Sequence, residues 1–585
     1  MEPDGNTVEE GLALHRAGRL PEAAAVYERV VAGDPANADA LHYLGVIASQ
    51  QGDQLRSVEL LARAISLKPG APKFHNNLGV ALRELKRLPA AEAAFRSAIA
   101  LDPDFGDALR NIALVLDLLG RPADCVPLWQ RVLSITPDFA DGWNRLGVAL
   151  QETGLLGDAV QAFKEVVRLA PSSHIGLANL AGALNKTGRH TESLEAADLA
   201  LKIAPETPEA LSARANSLCL LGRRTEALES AERLVAIHPE AAAGHLALAC
   251  IQKAEARFED LIATYRRVLE LEPDNAVVHF DKGMNHLLLG QFDEGWTEYE
   301  WRQRVPRLRQ LISKVPCPRW NGEPLHGRTI LIHAEQGVGD TLQFLRYLPR
   351  IQERGGKVVF VSQPGLRSFI RATWPDIDTF GPGEPLPPFH CEAPLMSLPL
   401  VFGTDLDSVP NPLPIERPIE GPVSIPKSAR LKLGLVWAGD PAHSNDHNRS
   451  MALDLFEPVL GIGGIDFFSL QVGPRSADRS QLRSPERLED LSARLDSYTA
   501  TASLMRQLDL IISVDTSAAH LAGVLGRPVW TLLPFVPDWR WLLDREDSPW
   551  YPTMRLFRQR REGDWSEVIQ RVGSELKTLR NGRSP

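Results

Sequence analysis

The spacing of apolar and polar residues divides the 585-residue chain into two halves. In the first half, apolar and small residues recur every three or four positions, which places them on one face of an α-helix. One segment shows this pattern through Trp143, Leu146, Gly147, Leu150, Gly154, Ala159, Phe163 and Pro171. Because Gly154 interrupts the pattern and Pro171 ends it, the segment is predicted to form two helices joined by a tight turn.

This helix pair recurs at intervals of 34 residues, and three series of positions show the interval. The prolines that follow the second helix are Pro35, Pro69, Pro103, Pro137, Pro171, Pro205, Pro239 and Pro273. The small residues that let the paired helices approach are Gly45, Gly79, Ala113, Gly147, Ala181, Ala215, Ala249 and Gly283. The turn positions are Gly18, Gly52, Lys86, Gly120, Gly154, Gly188, Gly222, Ala256 and Gly290. An interval kept over so many steps indicates a repeat array.

These positions resemble the tetratricopeptide repeat (TPR), a pair of helices in 34 residues. The resemblance covers residues 4–302 and implies an α-superhelix whose concave face binds a protein or peptide partner. Asn77, Asn111 and Asn179 stand at a position on that face. The arrays of protein O-GlcNAc transferases use asparagines there to hold an extended peptide, since an amide both donates and accepts. Asparagine is also common at this helix position without a binding role, and both interpretations stay open.

From residue 303 the helical period gives way to short apolar runs of strand length. The runs are Thr329–His333, Lys357–Ser362, Leu433–Ala438, Phe467–Gln471, Leu508–Val514 and Pro528–Leu533. Helix-like stretches, such as Thr341–Arg354 and Thr516–Leu525, lie between several of them. Strands that alternate with helices predict parallel sheets, so the whole chain is predicted to be α + α/β.

A proline-rich stretch, Val409–Pro426, separates the runs into two blocks, which predicts two α/β lobes joined by a stiff connection. The predicted segments are a linker at 303–327, an N-terminal lobe at 328–408, an inter-lobe linker at 409–430, a C-terminal lobe at 431–565 and a final helix and tail at 566–585. Such folds bind ligands in the crevice that the carboxyl ends of the strands face.

Composition removes several classes of function. Hydrophobic residues make up 44% and charged residues 24% of the chain, as in globular proteins. The net charge of −10 argues against a nucleic-acid-binding face. The longest apolar runs fall short of the ~18 residues of a transmembrane helix, and the acidic first residues do not resemble a secretory signal. Five scattered cysteines without a CxxC pair favour free thiols and a cytoplasmic location.

A glycine-containing loop follows the first strand of the N-terminal lobe. It contains Gly337, Gly339 and Asp340, and a predicted helix comes next. Glycine lets a ligand approach the backbone, and a helix amino terminus offers unpaired N–H groups. Asp340 is therefore expected to face the crevice. Aspartate is also a preferred helix cap, and the local sequence leaves both roles open.

Arg449 and Ser450 follow the first strand of the C-terminal lobe, where one cation and one hydroxyl suit a phosphate group. The neighbouring segment 443–447 contains two histidines and an aspartate. No further ligand stands at a clear spacing from them, so a polar loop is expected there and no metal site is predicted. The later segment Pro537–Gln559 is rich in tryptophan and arginine, which fits either a clamp on a sugar nucleotide or a packed lobe edge.

Asp515, Thr516 and Ser517 follow the run Leu508–Val514 and precede a helix of small residues. Hydroxyls and free N–H groups at a helix start favour an anion. His520 stands one helical turn further on. An ordinary capped helix with a structural histidine accounts for the same residues equally well.

Two segments, GVGDTLQFLRYLP and VDTSAAHLAGVLGRPVW, resemble the signature segments of heptosyltransferase-like family 9 glycosyltransferases. The early family motif is GD before a helix ending in LP, and residues 339–340 and 348–349 match it. The late motif is DTG or DSG with a histidine three residues after the glycine. Residues 515–516 and His520 match that motif, while Ser517 replaces the glycine.

The resemblance implies a Rossmann-like GT-B fold and inverting transfer of a hexosyl or heptosyl group from a nucleotide sugar, without a metal or other cofactor. Asp340 takes the place of the base that deprotonates the acceptor hydroxyl. Arg449, with Ser450 beside it, takes the place of the group that holds the donor phosphates. The late motif implies that Asp515, Thr516, Ser517 and His520 bind the nucleotide sugar.

Three functions are compatible with this sequence. The first is an intracellular glycosyltransferase whose repeats present a protein or a partner-bound glycan as acceptor. The second is a TPR interaction scaffold whose lobes are inactive or only bind a ligand. The third is an O-GlcNAc-transferase-like protein, although no segment resembles the catalytic lobe of that class. The carboxylate retained at Asp340 favours the first function over the second.

Overall fold

The structure is a computed structural model that describes residues 7–309, 316–415, 417, 419, 424–425, 428–443 and 445–582. Its internal contacts divide the chain into two compact units, Met1–Ile251 and Gln252–Pro585. The division falls within the predicted repeats, which extend to residue 302. The last repeat helices therefore belong to the same unit as the α/β lobes.

The helices of the first unit follow the predicted helix pairs. They are α1 (Val8–Arg16), α2 (Leu20–Gly33), α3 (Ala38–Gln50), α4 (Gln54–Leu67), α5 (Pro72–Glu84), α6 (Leu88–Leu101), α7 (Gly106–Leu118), α8 (Pro122–Ile135), α9 (Ala140–Glu152), α10 (Leu156–Leu169), α11 (His174–Lys186), α12 (His190–Ile203), α13 (Pro208–Leu220), α14 (Arg224–Ile237) and α15 (Ala242–Ala254), which runs across the division. From α3 to α14, a helix of 13 residues alternates with one of 14. The predicted helical repeat is confirmed.

The turn between paired helices keeps a left-handed backbone at all nine turn positions. The glycines there have φ between 66° and 86°. Lys86 and Ala256, which replace glycine, also have φ of 57°. A residue with a side chain is disfavoured in this region by about 1–2 kcal/mol. The left-handed backbone of the turn is therefore kept at both positions, although neither residue is glycine.

Small residues allow the paired helices to pack closely. A β carbon at Gly79 would lie 2.5 Å from the Phe95 ring, and one at Gly147 would lie 2.6 Å from the Phe163 ring. Carbon atoms make favourable contact only at about 3.5–4.0 Å, so a larger residue would push the helices apart. The periodic small residues predicted from the sequence thus have a direct steric cause.

The second unit continues the repeats and then becomes α/β. Its helices after α15 are α16 (Phe258–Leu271), α17 (Ala276–Leu288), α18 (Phe292–Tyr299), α19 (Pro306–Arg309), α20 (Val338–Phe344), α21 (Leu348–Glu353), α22 (Pro364–Thr373), α23 (Leu398–Val401), α24 (Asp446–Arg449), α25 (Glu457–Leu460), α26 (Tyr498–Met505), α27 (Ser517–Val524) and α28 (Trp565–Asn581). Its strands are β1 (Thr329–His333), β2 (Lys357–Val361), β3 (Asp378–Phe380), β4 (Cys391–Pro394), β5 (Leu431–Val436), β6 (Ile465–Ser469), β7 (Leu488–Asp490), β8 (Leu510–Val514), β9 (Val529–Leu533) and β10 (Met554–Arg558).

The strands form two sheets in which all pairings are parallel. The first sheet has the order β3-β2-β1-β4, and the second has the order β10-β9-β8-β5-β6-β7. Parallel sheets bury both faces, so their strands read as continuous apolar runs. In β8 all five residues are buried. The prediction of parallel sheet in two blocks is confirmed.

Some details differ from the sequence prediction. The strands β3, β4, β7 and β10 were not predicted, and the first three contain only three or four residues. The stretch Thr341–Arg354, predicted as one helix, is divided into α20, a short 3-10 turn and α21. Pro349 stands at the start of α21, where its missing N–H prevents a continuous helix. The predicted inter-lobe linker at 409–430 lies partly outside the described residues.

The last repeat helix is packed into the α/β core. The indole of Trp296 in α18 donates a hydrogen bond to the Thr404 carbonyl at 2.9 Å. Its ring packs edge-on against Trp539 and Phe344, with ring centroids 5.4 and 6.2 Å away. Buried aromatic pairs of this kind contribute about 0.5–1.5 kcal/mol beyond their buried area. The final repeat therefore stabilises the lobes rather than ending as a solvated cap.

Candidate functional site

The two predicted motifs meet where α20 faces α27. Each helix follows a central strand of its sheet, α20 after β1 and α27 after β8. Gly339 and His520 lie in contact there, because a β carbon at Gly339 would be 2.8 Å from the His520 Cδ2 atom. Only glycine permits so close an approach. We call the site around this contact the crevice.

Asp340 uses both carboxylate oxygens. Its Oδ2 atom accepts a hydrogen bond from the Gly337 N–H at 2.7 Å, and its Oδ1 atom pairs with the Arg540 guanidinium. Gly337 occupies the cap position of α20, so Asp340 is not the cap residue. It is the third residue of the helix, where its carboxylate accepts the Gly337 N–H and also reaches the other lobe. Burial raises the pKa of Asp340, and the Arg540 charge acts in the opposite direction.

Arg540 is the residue of the crevice that the sequence analysis missed. It stands on a 3-10 turn after β9. Its guanidinium pairs with Asp340 and, at 2.7 Å, with Asp538, while only 9% of its side chain is exposed. Burial lowers the pKa of Arg540, but the two carboxylates outweigh that effect and raise it. The segment Pro537–Gln559 was recognised as rich in arginine, but its spacing does not distinguish Arg540 from its neighbours.

Asp515 directly follows β8 and adds a further carboxylate to the crevice. Burial and, next, the Asp538 carboxylate raise the pKa of Asp515 to about 6. Trp541, Arg540 and Arg449 act in the opposite direction. Three carboxylates therefore lie near two arginine side chains, so the negative charge of the crevice is only partly balanced by positive charge.

Arg449 lies across the ends of β5 and β8. Its Nη1 atom donates to the Asp515 carbonyl at 3.2 Å, and its Nε atom lies 3.6 Å from the Asp446 carboxylate. A β carbon at Gly439 would lie 2.6 Å from its Nη2 atom. Glycine at this position thus makes room for the guanidinium. The geometry is compatible with the predicted role of Arg449 as a phosphate-binding residue, which stays a prediction.

Ser450 is buried and has internal hydrogen-bond partners. Its hydroxyl donates to the Asp446 carboxylate at 2.6 Å and accepts from the Gly439 N–H at 2.9 Å. These bonds hold the loop that carries Arg449. The predicted contact of Ser450 with a donor remains a prediction, and it would compete with these bonds.

The start of α27 has no side-chain cap. Thr516 stands at the cap position, but its hydroxyl is 3.0 Å from the Ser513 hydroxyl. The Ser517 hydroxyl accepts a hydrogen bond from the Tyr498 hydroxyl at 3.1 Å. A helix start without a side-chain cap has N–H groups to offer an anion. Binding of an anion by this segment stays a prediction.

His520 is buried beside aromatic rings. Its Nδ1 atom is 2.9 Å from the Tyr551 hydroxyl, and its ring centroid is 5.2 Å from that of Trp541. Burial lowers the pKa of His520 well below its ordinary value. The imidazole is therefore neutral at pH 7 and supplies no positive charge to an anion. Its contact with Gly339 makes it part of the surface where the two lobes meet.

The asparagines predicted to bind a partner lie on first helices of the first unit, and each bonds to the preceding repeat. The Nδ2 atoms of Asn77, Asn111 and Asn179 lie 2.8 to 3.0 Å from His42, Asn76 and Asn144, respectively. One N–H of each amide is therefore used to hold neighbouring repeats together. Their contact with a partner peptide stays a prediction that relies on the remaining amide atoms.

A groove of about 690 Å³ lies next to Asn179. It is bounded by the start of α11 and by the residues that lead into α13. Ile175 on its wall is 55% exposed, and Glu206 and Glu209 make one side acidic. Its position beside Asn179 makes this groove the clearest concavity on the predicted partner-binding repeats.

Comparison with known proteins identifies the repeats. A tetratricopeptide repeat family profile matches residues 8–72, 55–104, 76–138, 110–174 and 145–210, and a second profile with the same description matches residues 245–277. Residues 8–277 are therefore tetratricopeptide repeats, as the 34-residue interval predicted.

Two curated proteins are similar to parts of the chain. Protein FlbA of Caulobacter vibrioides is 27% identical over 337 residues, which cover 52% of this chain and 55% of FlbA. TPR repeat-containing protein PA4299 of Pseudomonas aeruginosa is 39% identical over 101 residues, which cover 17% of this chain and 40% of that protein. The chain thus spans about half or less of the length of the curated relatives it matches.

Solved TPR structures are similar to shorter parts. YrrB, described as a TPR protein with an unusual peptide-binding site, is 20% identical and aligns with 33% of this chain and 98% of its own, with a TM-score of 0.32. The crystal structure of MamA is 27% identical and aligns with 27% of this chain and 93% of its own, with a TM-score of 0.26.

Neither a membrane-spanning helix nor a cluster of metal ligands occurs among the described residues. Within the described ranges, no helix is both long enough and apolar enough to cross a membrane. Among the same residues, no three His, Cys, Asp or Glu side chains are grouped as metal ligands would be. Asp446, which lies near the histidines of segment 443–447, instead bonds to Ser450 and pairs with Arg475 at 3.6 Å.

Proposed function

We propose that this TPR protein is a glycosyltransferase of GT-B architecture. It transfers a sugar, with inversion, from a nucleotide-activated donor to a protein or partner-bound acceptor that the repeats recruit. The observation that carries the proposal is the contact of the early motif with the late motif, Gly339 against His520, at the ends of two parallel sheets. Crevices at this edge of parallel sheets are the usual ligand sites of α/β folds.

The proposed reaction assigns a role to each group. Asp340 takes the proton of the acceptor hydroxyl while the acceptor oxygen forms a bond to the anomeric carbon. The bond from that carbon to the phosphate oxygen breaks, and the nucleotide leaves with the electron pair. In this scheme Arg449 and the N–H groups at the uncapped start of α27 balance the charge that develops on the leaving phosphate. Positive side chains and N–H groups supply the stabilisation in this scheme, without a metal ion.

The raised pKa of Asp340 supports the base assignment. A carboxylate whose pKa is raised by burial accepts a proton more readily than one in water, and such groups cluster at functional sites. The nearby Asp515, with a pKa of about 6, shows that burial affects more than one carboxylate of the crevice. Thiols at Cys125, Cys317 and Cys391 that form no disulfide suit the proposed cytoplasmic location.

A second function is favoured by one observation. Asp340 is paired with Arg540, and a base held by a guanidinium is a poor proton acceptor. A TPR scaffold whose crevice binds a ligand without turning it over would show the same pair. TPR arrays serve protein interaction in either case.

Calorimetric titration with a panel of nucleotide sugars, together with an assay for donor hydrolysis, separates these functions. The variants are Asp340→Asn and Arg449→Ala, with Arg555→Ala as a control because Arg555 pairs with Glu546 and Glu575 in the same lobe. We expect one donor to bind wild type and the control, and Arg449→Ala to lose that binding. We expect Asp340→Asn to keep binding and to lose about 100-fold or more of turnover. Absence of donor binding to a folded protein at millimolar concentration would favour the scaffold.

A further inference from the structure

The Arg540 guanidinium connects the two lobes through carboxylates. Asp340 belongs to the start of α20, and Asp538 and Arg540 belong to the turn after β9. The exposed fractions of the Asp340 and Asp538 side chains are 17% and 35%. Both partners of Arg540 therefore remain accessible from the crevice, while Arg540 itself is nearly buried.

Arg540 also has hydrogen-bonding capacity that these pairs do not use. A guanidinium has five N–H donors. Its Nε atom is buried and has no hydrogen-bond partner in the part of the chain that the structure describes. Planar arginine donors fit phosphate as well as carboxylate, often with two parallel bonds. The donors of Arg540 therefore suit an anion. In this structure its anionic partners are carboxylate side chains.

The crevice around Arg540 contains more carboxylates than its two arginines balance. The negative charges of the crevice belong to Asp340, Asp515 and Asp538, and the second positive charge, beside that of Arg540, belongs to Arg449. An entering phosphate would meet like charge at these carboxylates unless it also gained an arginine. Arg540 and Arg449 both influence Asp515, so the two cations lie close enough to act on one anionic group.

We propose that Arg540 is a phosphate-binding residue that exchanges partners, leaving Asp340 for the phosphate of the donor when the donor enters the crevice. The inference rests on the proposed function and deepens it, because the same movement frees the base. Before the donor binds, Asp340 is held in the ion pair with Arg540, and binding of the donor releases Asp340. Donor binding thus precedes release of the base.

The charges that face Asp340 determine how the exchange changes its proton affinity. Arg540 and the Gly337 N–H lower the pKa of Asp340, while burial, Asp538 and Glu335 raise it. His443, Tyr299 and Tyr551 also lie within the influence of its charge. When Arg540 leaves, the lowering effect of its charge is lost and the proton affinity of Asp340 increases. Phosphate binding is therefore expected to draw protons onto the protein.

A permanent structural clamp is the alternative interpretation of the same pair. In that case Arg540 never leaves Asp340, and the pair only holds the lobes together. The two interpretations give opposite results for Asp340→Asn. Asparagine retains an oxygen for the Gly337 N–H but removes the charge that competes for Arg540. The exchange predicts tighter phosphate binding in this variant and loss of that gain when Arg540→Gln is added, whereas the clamp predicts binding that does not depend on Arg540.

Titration calorimetry with inorganic pyrophosphate tests the exchange on the full chain. The variants are Asp340→Asn, Arg540→Gln and Arg540→Lys, with Arg555→Gln as the matched control because Arg555 also pairs with two carboxylates. We expect Asp340→Asn to bind pyrophosphate about tenfold more tightly than wild type, a difference of about 1.4 kcal/mol. Arg540→Gln loses binding, Arg540→Lys is intermediate because it keeps the charge without the planar fork, and the control matches wild type.

Proton linkage provides a second readout. Titrations in buffers with different ionisation enthalpies report the protons taken up on binding. We expect greater proton uptake in wild type than in Asp340→Asn, where Asp515 can still take up protons when Arg540 moves away. Binding by Asp340→Asn that is equal to or weaker than that of wild type overturns the exchange. Pyrophosphate binding that Arg540→Gln retains, or that is absent from both wild type and Asp340→Asn at millimolar concentration, also overturns it.

Failure of the exchange and failure of the proposed function give different results. If Asp340→Asn tightens pyrophosphate binding but no nucleotide sugar is turned over, the phosphate site stands and the transferase proposal fails. If a nucleotide sugar is turned over equally by wild type and Arg540→Gln, the transferase stands and the exchange fails.

Discussion

Two buried arginines of the second unit differ in how they use their donors. Arg302, directly after the last repeat helix, is 0% exposed and forms two 2.9 Å bonds to Glu335 and one of 2.7 Å to Ser397. It also pairs with Glu300 and donates to a backbone carbonyl. Arg540 pairs with Asp340 and Asp538, and its Nε atom has no partner among the described residues.

The two pairs hold opposite sides of the same loop. Glu335 and Asp340 flank the glycine loop, which also donates a hydrogen bond to the repeat region, from the Gln336 side chain to the Tyr299 hydroxyl at 3.2 Å. The Arg302 pair has no spare donor and no exposed surface, so it can only support structure. The Arg540 pair has a spare N–H donor and some exposed surface, so it can bind another anion. Of these two buried ion pairs, we expect a ligand to bind only at the one whose arginine has an N–H donor without a hydrogen-bond partner among the described residues.

The largest effect is expected at Arg302. Replacing it in Arg302→Met leaves the Glu335 carboxylate buried without a positive charge beside it, although the Met396 N–H still donates to it. This should lower the free energy of unfolding by about 3–5 kcal/mol. The double variant Arg302→Met/Glu335→Met should recover most of the loss, because no charge remains buried. Urea unfolding followed by tryptophan fluorescence measures this unit, since only Trp129 and Trp143 of the 12 tryptophans precede it. Equal stability of the two variants would contradict the account.

Gly339 is expected to show the next largest effect. A β carbon there lies 2.8 Å from the His520 ring, so Gly339→Ala should separate the two helices and cost about 1–3 kcal/mol. The matched control is Gly365→Ala in α22, where the nearest atom, on Tyr498, is 3.9 Å away. The same unfolding measurement applies. Alanine favours a helix more than glycine does, so Gly365→Ala should not lose stability, and a loss equal to that of Gly339→Ala would contradict the role of the contact between the motifs.

A pH-dependent effect is expected at Asp515, whose pKa is raised to about 6 from 3.8. Between about pH 4 and pH 6 the unfolded carboxyl is ionised while the folded one keeps its proton, so stability falls as pH rises through this window and then levels off. Asp515→Asn does not titrate. Its advantage in unfolding free energy over wild type should grow to about 2–3 kcal/mol at pH 7 and vanish near pH 4. An advantage independent of pH would refute the assignment.

The smallest effect is expected at an exposed pair of the repeats. Lys68 and Asp39 lie 3.0 Å apart, and both side chains are at least 50% exposed. Water and salt screen such pairs, so Asp39→Asn should change stability by less than about 0.5 kcal/mol. Thermal unfolding followed by circular dichroism measures the helical repeats. A loss comparable to that of Arg302→Met would remove the distinction between buried and exposed pairs.

The sequence predicted the helices and strands that depend on residues close together in the chain. The 34-residue interval arises from helix packing and turns within each repeat, and the buried strands are visible as apolar runs. The edge strands were missed because β3 and β7 are only three residues long. In the site, motif residues such as Asp340 and His520 were located in advance. Arg540 and Glu335 were not, because the contacts that define them join residues far apart in the chain.

The central claim is that the Arg540 pair is exchangeable and the Arg302 pair is not. Double-mutant cycles on unfolding free energy test it, with Asp340→Asn and Arg540→Gln for one pair and Arg302→Met and Glu335→Met for the other, each without pyrophosphate and at one pyrophosphate concentration that saturates wild type. We expect pyrophosphate to lower the interaction energy of the first pair by about 1.4 kcal/mol and to leave that of the second unchanged. Equal interaction energies for the first pair with and without bound pyrophosphate would contradict the claim.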